Sequence, residues 1–255
     1  MPDSPLPRAR LWPFWPVAGL LGLGWLMFVW PWLSGGLTIP WDAKAHFYPQ
    51  LVFLADALAH KTGFAWNPFV FSGQTQIADP QSLIFSPPHQ LLARFGPTPG
   101  FVATDMISFG MLLAGAVAVL LYFRDRNWHP AGGMVAGLAY AFGGAAAWRI
   151  QHVGQVMSFA QFGITLWLLA RALDRSSIRY GVLAGLSGGL MIVKPDQVAL
   201  FGVYILAAFV IHHVLSQTDR KSAFRAGLRP ILAGTVAAAL LAGGPLIMTV
   251  LFAEA

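Results

Sequence analysis

FVATDMISFGMLLAGAVAVLLYF, residues Phe101–Phe123, is apolar almost throughout, carries one charge at Asp105, and ends against Arg124, Asp125 and Arg126. A membrane-spanning helix needs about 20 mostly apolar residues rising 1.5 Å each, and this run supplies them. Outward from it, six more runs have the same character: Leu11–Leu33 upstream, and Ala131–Trp148, Val156–Ala172, Tyr180–Val193, Val198–Leu215 and Ile231–Phe252 downstream. Tyr180–Val193 is short and Gly-rich and reads as a partial or broken span. Of the 255 residues, 56% are hydrophobic and only 10% charged, whereas a soluble domain carries about a quarter charged residues. The reading is an all-α polytopic membrane protein with about seven transmembrane helices.

Composition also excludes several functions. With no cysteine there is no disulfide framework, thiolate metal site or cysteine nucleophile. The net charge of +6 is scattered between apolar runs, as topology signals are, and no basic stripe exists to bind nucleic acid. Placing the N-terminus in the cytoplasm puts Arg8, Arg10, Arg124, Arg126, Arg171, Arg175, Arg179, Arg220, Lys221, Arg225 and Arg229 inside. It leaves Lys44, Lys61, Arg94, Arg149 and Lys194 outside, and that asymmetry favours an N-in chain. Gly133 to Gly137, Gly181 to Gly185 and Gly185 to Gly189 are small-xxx-small spacings that read as helix packing. Trp12, Trp15, Trp30, Trp32 and Trp148 fall near span ends, where indoles favour the interface. His212 and His213 read as solvated at a cytoplasmic helix end. The sequence carries no P-loop, no dinucleotide-binding turn, no GxSxG elbow and no solenoid repeat.

Upstream of Phe101, the stretch from Ser34 to Gly100 is far longer than an ordinary connection. It is rich in aromatics and has a helical pattern at Leu51, Leu54, Ala55 and Leu58, with Gln50, Asp56, His60 and Lys61 off that face. That pattern predicts an amphipathic helix lying on the membrane within a folded first periplasmic loop. Polar residues concentrate on this side: Trp41 to Pro49, then Ala78-Asp79-Pro80-Gln81, then Arg149, Gln151, His152 and Gln155, and finally Lys194, Asp196 and Gln197. Seven packed helices would bring these groups around one outer cleft. Spacing alone leaves open a plainer reading, in which Arg149 and Lys194 are snorkelling anchors and Asp42 caps the loop helix. Pro49, Pro68, Pro80, Pro87 and Pro88 read as fixing the loop path.

The run Trp41-Asp42-Ala43-Lys44-Ala45-His46-Phe47-Tyr48-Pro49, followed by Trp66-Asn67-Pro68, Ser72-Gly73-Gln74 and Ala78-Asp79-Pro80-Gln81-Ser82 with Phe85 and Pro87, resembles the first outer loop of YfhO-like bacterial membrane proteins. Arg149-Ile150-Gln151-His152 and Asp196-Gln197 are similar to that family's later motifs. The resemblance covers roughly Ile39 to Gln197. It implies a single GT-C-like glycosyltransferase module over residues 1–255, with residues 34–100 as the first periplasmic loop. Because members of that family are longer, it also implies the N-terminal part of a longer protein. The implied activity is transfer of a sugar from a polyprenyl-phosphate-linked donor to a cell-envelope glycan, polymer or lipid acceptor on the outer membrane face.

A phosphosugar donor has a good leaving group, so transfer needs chiefly a base for the acceptor and positive charge on the departing phosphate. Asp42 is the expected general base. Arg149 and Lys194 are the expected phosphate contacts, with His152 as a further donor. Lys44 stands where some GT-C motifs carry a second acid. His46, Tyr48, Asp79, Gln81, Gln155, Asp196 and Gln197 complete the expected donor and sugar contacts. No cofactor is fixed by the sequence; a divalent cation, Mg or Mn, would draw its ligands from Asp42, Asp79 and Asp196. The competing reading is a polytopic transporter or flippase for a lipid-linked or small polar substrate, whose one sequence hint is the Gly-rich fifth span running into Lys194-Pro195-Asp196.

Overall fold

The computed structural model describes residues 12–79 and 81–253. Arg8, Arg10, Leu11 and Pro80 lie outside the described residues, so the basic flank and first residue of the expected first span, and one of the loop prolines, are not placed.

The chain is a bundle of apolar helices with a folded loop at one end. Helix α1 is Phe14–Leu33, begun behind Pro13 and carrying Pro16 in its first turn, where a missing N–H costs nothing. A π-helical turn at Ala43–Phe47 leads into α2, Tyr48–Ala59. A two-residue hairpin pairs Trp66 with Thr75 and Asn67 with Gln74, and α3 is Pro87–Leu92. The long elements follow: α4 at Phe101–Asp125, α5 at Pro130–Phe142, α6 at Gly144–Arg149, α7 at Val153–Asp174, α8 at Ile178–Ile192, α9 at Gln197–Leu215 and α10 at Arg220–Ala253. Helix α7 packs on α4, α8 and α9, α4 also on α1 and α5, and α8 on α10. The bundle core joins Leu21 and Val29 of α1, Leu112, Ala116 and Leu120 of α4, and Val156 and Met157 of α7.

Among the described residues, α1, α4, α7, α9 and α10 are long and apolar enough to cross a membrane. Their outer faces display Leu200, Phe201, Ile205, Leu232, Val236 and Leu240. A contiguous surface of this kind needs lipid around it, and the protein is a multi-pass membrane protein. Against the expectation of about seven spans, the third and the last differ, whereas the fifth is short as its sequence implied. The third expected span is two helices, α5 and α6, broken where Gly143 turns extended (ψ 167°). A Cβ at Gly143 would overlap the carbonyl of Ala139, so the break requires glycine. The fifth is α8, only 15 residues. The last is the C-terminal part of α10, which runs 34 residues through both Pro230 and Pro245.

The small-residue spacings are packing sites as expected. A Cβ on Gly181 would collide with the backbone of Pro230, and one on Gly185 with the backbone of Gly234, so α8 and α10 touch main chain to main chain. The loop helix α2 departs from its expected position. Its Leu51, Leu54 and Ala55 face packs against Ile84 and Ala93, with Phe64 and Ile77 beside them, forming a second small core inside the loop. Gln50, expected on the wet face, is buried within it. Each leucine so buried contributes about 2 kcal/mol.

Two polar ends result, a loop end and an opposite end. At the latter, Arg171 grips Asp125 through Nε (2.5 Å) and Nη2 (2.8 Å), Trp167 donates to Asp125 at 2.9 Å, and Arg126 pairs with Asp174 at 3.1 Å. His213 Nδ1 lies 3.9 Å from the same Asp174, and its side chain is only partly exposed. Among the expected interfacial tryptophans, Trp15, Trp30 and Trp148 are exposed. Trp12 instead donates to the carbonyl of Trp128 at 2.9 Å, and Trp32 packs on Phe109.

Candidate functional site

The loop end of the bundle contains a cleft of about 510 Å³ lined by Asp42, His46, Phe47, Gln81, His152, Gly154, Gln155, Pro195, Asp196 and Gln197. Four separate segments build it. Asp42 precedes the π-helical turn that carries His46, and Gln81 comes from the far side of the loop. His152 and Gln155 open α7, and Asp196 caps α9 by accepting from the Ala199 N–H at 2.9 Å. The N-cap is local chemistry: Asp in extended backbone satisfies one of the four free N–H groups of the first turn. The second oxygen of Asp196 accepts from Ser158 Oγ at 2.6 Å, which ties the cap to α7.

At the mouth, Asp42 and His152 form a half-exposed pair, Oδ2 to Nδ1 3.0 Å. His46 contacts Gln50 through Nε2 at 3.0 Å. The convergence expected of Asp42, His46, Gln81, His152, Gln155, Asp196 and Gln197 is thus present in the structure.

The expected cations do not join them. Lys44 forms an ion pair with Asp105 of α4, whose carboxylate is 2% exposed and also accepts from Thr38 Oγ1 (2.8 Å) and the Ile39 N–H (3.0 Å). Burying the Asp105 carboxylate within the apolar part of α4 requires that partner, so Lys44 is committed to the fold. Tyr48 likewise donates to the carbonyl of Pro99 at 2.9 Å and lies edge-on to Phe101, pinning the loop to the start of α4. Arg149, at the end of α6, lines a separate apolar groove. Asp79 turns one oxygen to the Gln81 N–H at 2.8 Å, while its other oxygen is buried without a partner among the described residues.

Lys194 lies behind the cleft wall. A methyl group on Gly154 would sit 3.4 Å from its Nζ. The side chain is 4% exposed and Nζ has no hydrogen-bond partner among the described residues. Burial pushes the ammonium down to about 8, partly offset by the carboxylates of Asp196 and Asp79. His89 is fully buried beside it, bonded through Nδ1 to Ser86 Oγ at 2.8 Å, and burial reinforced by Lys194 pushes it down to about 3. A closed gap of about 10 Å³, enough for one water, lies among Lys194, Gln161, Ser86 and apolar neighbours. Asp42, Asp79 and Asp196 do not form a metal-ligand cluster with one another or with any His; among the described residues there is no group of three such side chains. The ammonium of Lys194 supplies the positive charge facing Asp79 and Asp196.

Sequence reasoning missed the polar residues that continue inward. Gln161 Oε1 accepts from Ser187 Oγ at 2.8 Å, and Thr165 Oγ1 donates to Ser187 at 2.9 Å. Ser158, Gln161 and Thr165 recur on one face of α7, opposite Ser187 of α8. Their i, i+3, i+7 spacing was the available signal. The line ends at Thr165, about 18 Å along α7 from Val153 at 1.5 Å per residue.

No family model matches the chain, and no solved structure matches it. Among proteins of described function, the chain is similar to a subunit of the ion-translocating oxidoreductase complex of Klebsiella pneumoniae (strain 342), with 33% identity over 129 residues. The match covers 49% of this chain and 34% of the relative, so this chain spans about a third of that protein's length. The expected membership in the YfhO-like, GT-C-type glycosyltransferases is therefore corrected: the relative found belongs to an ion-translocating complex. The loop motifs behind that expectation are small, aromatic and proline-rich. Asp42, His46 and Gln81 of these motifs line the cleft, whereas Lys44 and Tyr48 hold the loop to the start of α4 through Asp105 and the carbonyl of Pro99.

Proposed function

We propose that the chain is a membrane-embedded subunit that passes a small ion or polar solute from the loop end, taken as the outer face of the bacterial inner membrane. The observation that carries this reading is the polar route. It starts at the open cleft, passes the buried Lys194 and the Asp196–Ser158 bond, and continues along Gln161, Ser187 and Thr165 between α7 and α8. Ionisable and hydroxyl side chains are costly inside a bilayer, and where they line up between helices they mark a pathway. The partial likeness to a protein of an ion-translocating complex supports the same reading. The opposite end is closed by the Arg171–Asp125 and Arg126–Asp174 pairs, which suits a state accessible from one side only. The test is flux of labelled monovalent ions and small solutes into proteoliposomes. Lys194→Met and Ser187→Ala should each lower transport of the true substrate by about 10-fold or more, the scale of one lost hydrogen bond to a charge. Equal flux in protein-containing and empty vesicles across the panel would sink the proposal.

A second reading is group transfer at the mouth, with a sugar moving from a polyprenyl-phosphate-linked donor to an envelope acceptor. It is favoured by one observation, the Asp42–His152 pair at 3.0 Å facing the open cleft, where a carboxylate and imidazole are placed for general acid–base work. Asp42→Asn should then lower transfer from labelled donors in membranes by about 10²-fold or more. Transfer equal to that of the unaltered chain would remove the role of Asp42.

A further inference from the structure

Beside the cleft, and separate from it, a groove of about 180 Å³ opens between α6, α7 and α9. Its walls are apolar, formed chiefly by Phe159, Phe162, Phe201 and Ile205. Phe201 and Ile205 are largely exposed on the lipid-facing side of α9. Gly202 opens the floor, and Arg149 stands at the loop-end rim. Among the described residues the Arg149 side chain has neither a hydrogen bond nor an ion pair, unlike Arg94, Arg126, Arg171 and Arg175. Next to it Trp148 is 83% exposed at the end of the helix, the position an indole takes at a headgroup layer.

An unpaired guanidinium above an apolar slot that opens sideways into hydrocarbon has the chemistry of a lipid phosphate site. The guanidinium fork matches phosphate oxygens, and the aromatic walls match an acyl chain. In a membrane-spanning chain the neighbour of this groove is lipid. We propose that the groove holds an anionic phospholipid, its phosphate on Arg149 and one acyl chain against Phe162, Phe201 and Ile205. This site is independent of what passes the cleft, and it borders the cleft wall through His152, three residues from Arg149.

Native mass spectrometry of the full chain released from detergent tests it, with phosphatidylglycerol, phosphatidylcholine and a polyprenyl phosphate as separate probes. The expected result is retention of phosphatidylglycerol over phosphatidylcholine by about 10-fold, because both lipids offer Arg149 a phosphate but the choline cation of the second is repelled by the guanidinium. Arg149→Gln abolishes the preference, and Arg149→Lys keeps part of it. Ala145→Phe, which fills the slot without touching charge, lowers retention of phosphatidylglycerol. Arg94→Gln, at another arginine of the same end, changes nothing. Should Arg149→Gln fail to fold, the Arg149→Lys and Ala145→Phe pair decides. Equal retention of phosphatidylglycerol by the unaltered chain and both groove variants would overturn the proposal, and so would retention of the polyprenyl phosphate alone.

Discussion

The Lys194 ammonium is buried without a hydrogen-bond acceptor among the described residues, and that burial sets its pH behaviour. An unfolded chain holds the lysine proton to about pH 10.4, whereas in the fold burial pushes it down to about 8. Between these values the unfolded chain binds more protons, so stability rises with pH through that window, and below about pH 8 the full cost of the buried charge is present. The thermal midpoint of the unaltered protein, followed from about pH 7.5 to 10, should therefore climb relative to that of Lys194→Met. The gain corresponds to roughly 3 kcal/mol, and a constant gap between the two curves would mean that the ammonium is hydrated. The same argument gives His89 an acid limb: with its proton released to about 3, stability falls as pH drops below about 6.5. Asp105 is the complementary case. Asp105→Ala strands the Lys44 ammonium and should cost about 3–5 kcal/mol, whereas the double variant with Lys44→Met should recover most of the loss in denaturant titrations. The Lys44–Asp105 pairing was not legible in the sequence, because the two residues lie 61 positions apart and no local pattern links them.

At the scale of elements, α8 is held to α10 by backbone contact at Gly181 and Gly185. Gly185→Leu has no room and should unseat α10, read as faster proteolysis between Asp219 and Ala226 and loss of several degrees in melting temperature. Gly188→Ala, whose added methyl would lie 3.5 Å from Thr165 Cγ2 in ordinary contact, should be nearly silent. The glycine spacings were readable as packing because period and residue size both point one way. Helix ends were less readable. The last expected span begins at Ile231, yet α10 continues upstream to Arg220, with Pro230 inside the helix and set against Gly181 of α8. The Gly143-Gly144 pair lies inside the expected span Ala131–Trp148, which the structure divides in two at that point. The amphipathic period of α2 was correct, but an apolar face does not say whether lipid or the loop's own Ile84 and Ala93 will cover it.

For the molecule as a whole, the apolar runs made membrane class and helix content plain, and the clustering of polar residues on alternate connections placed most of the cleft. The phosphate-clamp expectation failed because like charges in one region were grouped by side of the membrane, while the fold spends Lys44 on Asp105 and directs Arg149 into another groove. With no native cysteine, an impermeant thiol reagent can test orientation directly. Ser72→Cys and Gln197→Cys should label together in intact spheroplasts, and Ser222→Cys only after permeabilisation. The reverse pattern would invert the direction assigned to the cleft. If the loop end faces outward as proposed, the polar line that stops at Thr165 has an electrical consequence. Water and mobile charge reaching that depth flatten the voltage over the outer half of the bilayer. The membrane potential then drops mostly between Thr165 and the Arg171–Asp125 pair. A charge crossing that short stretch feels nearly the full field, about 2.3 kcal/mol per 100 mV, so transport through this route would be steeply voltage-dependent.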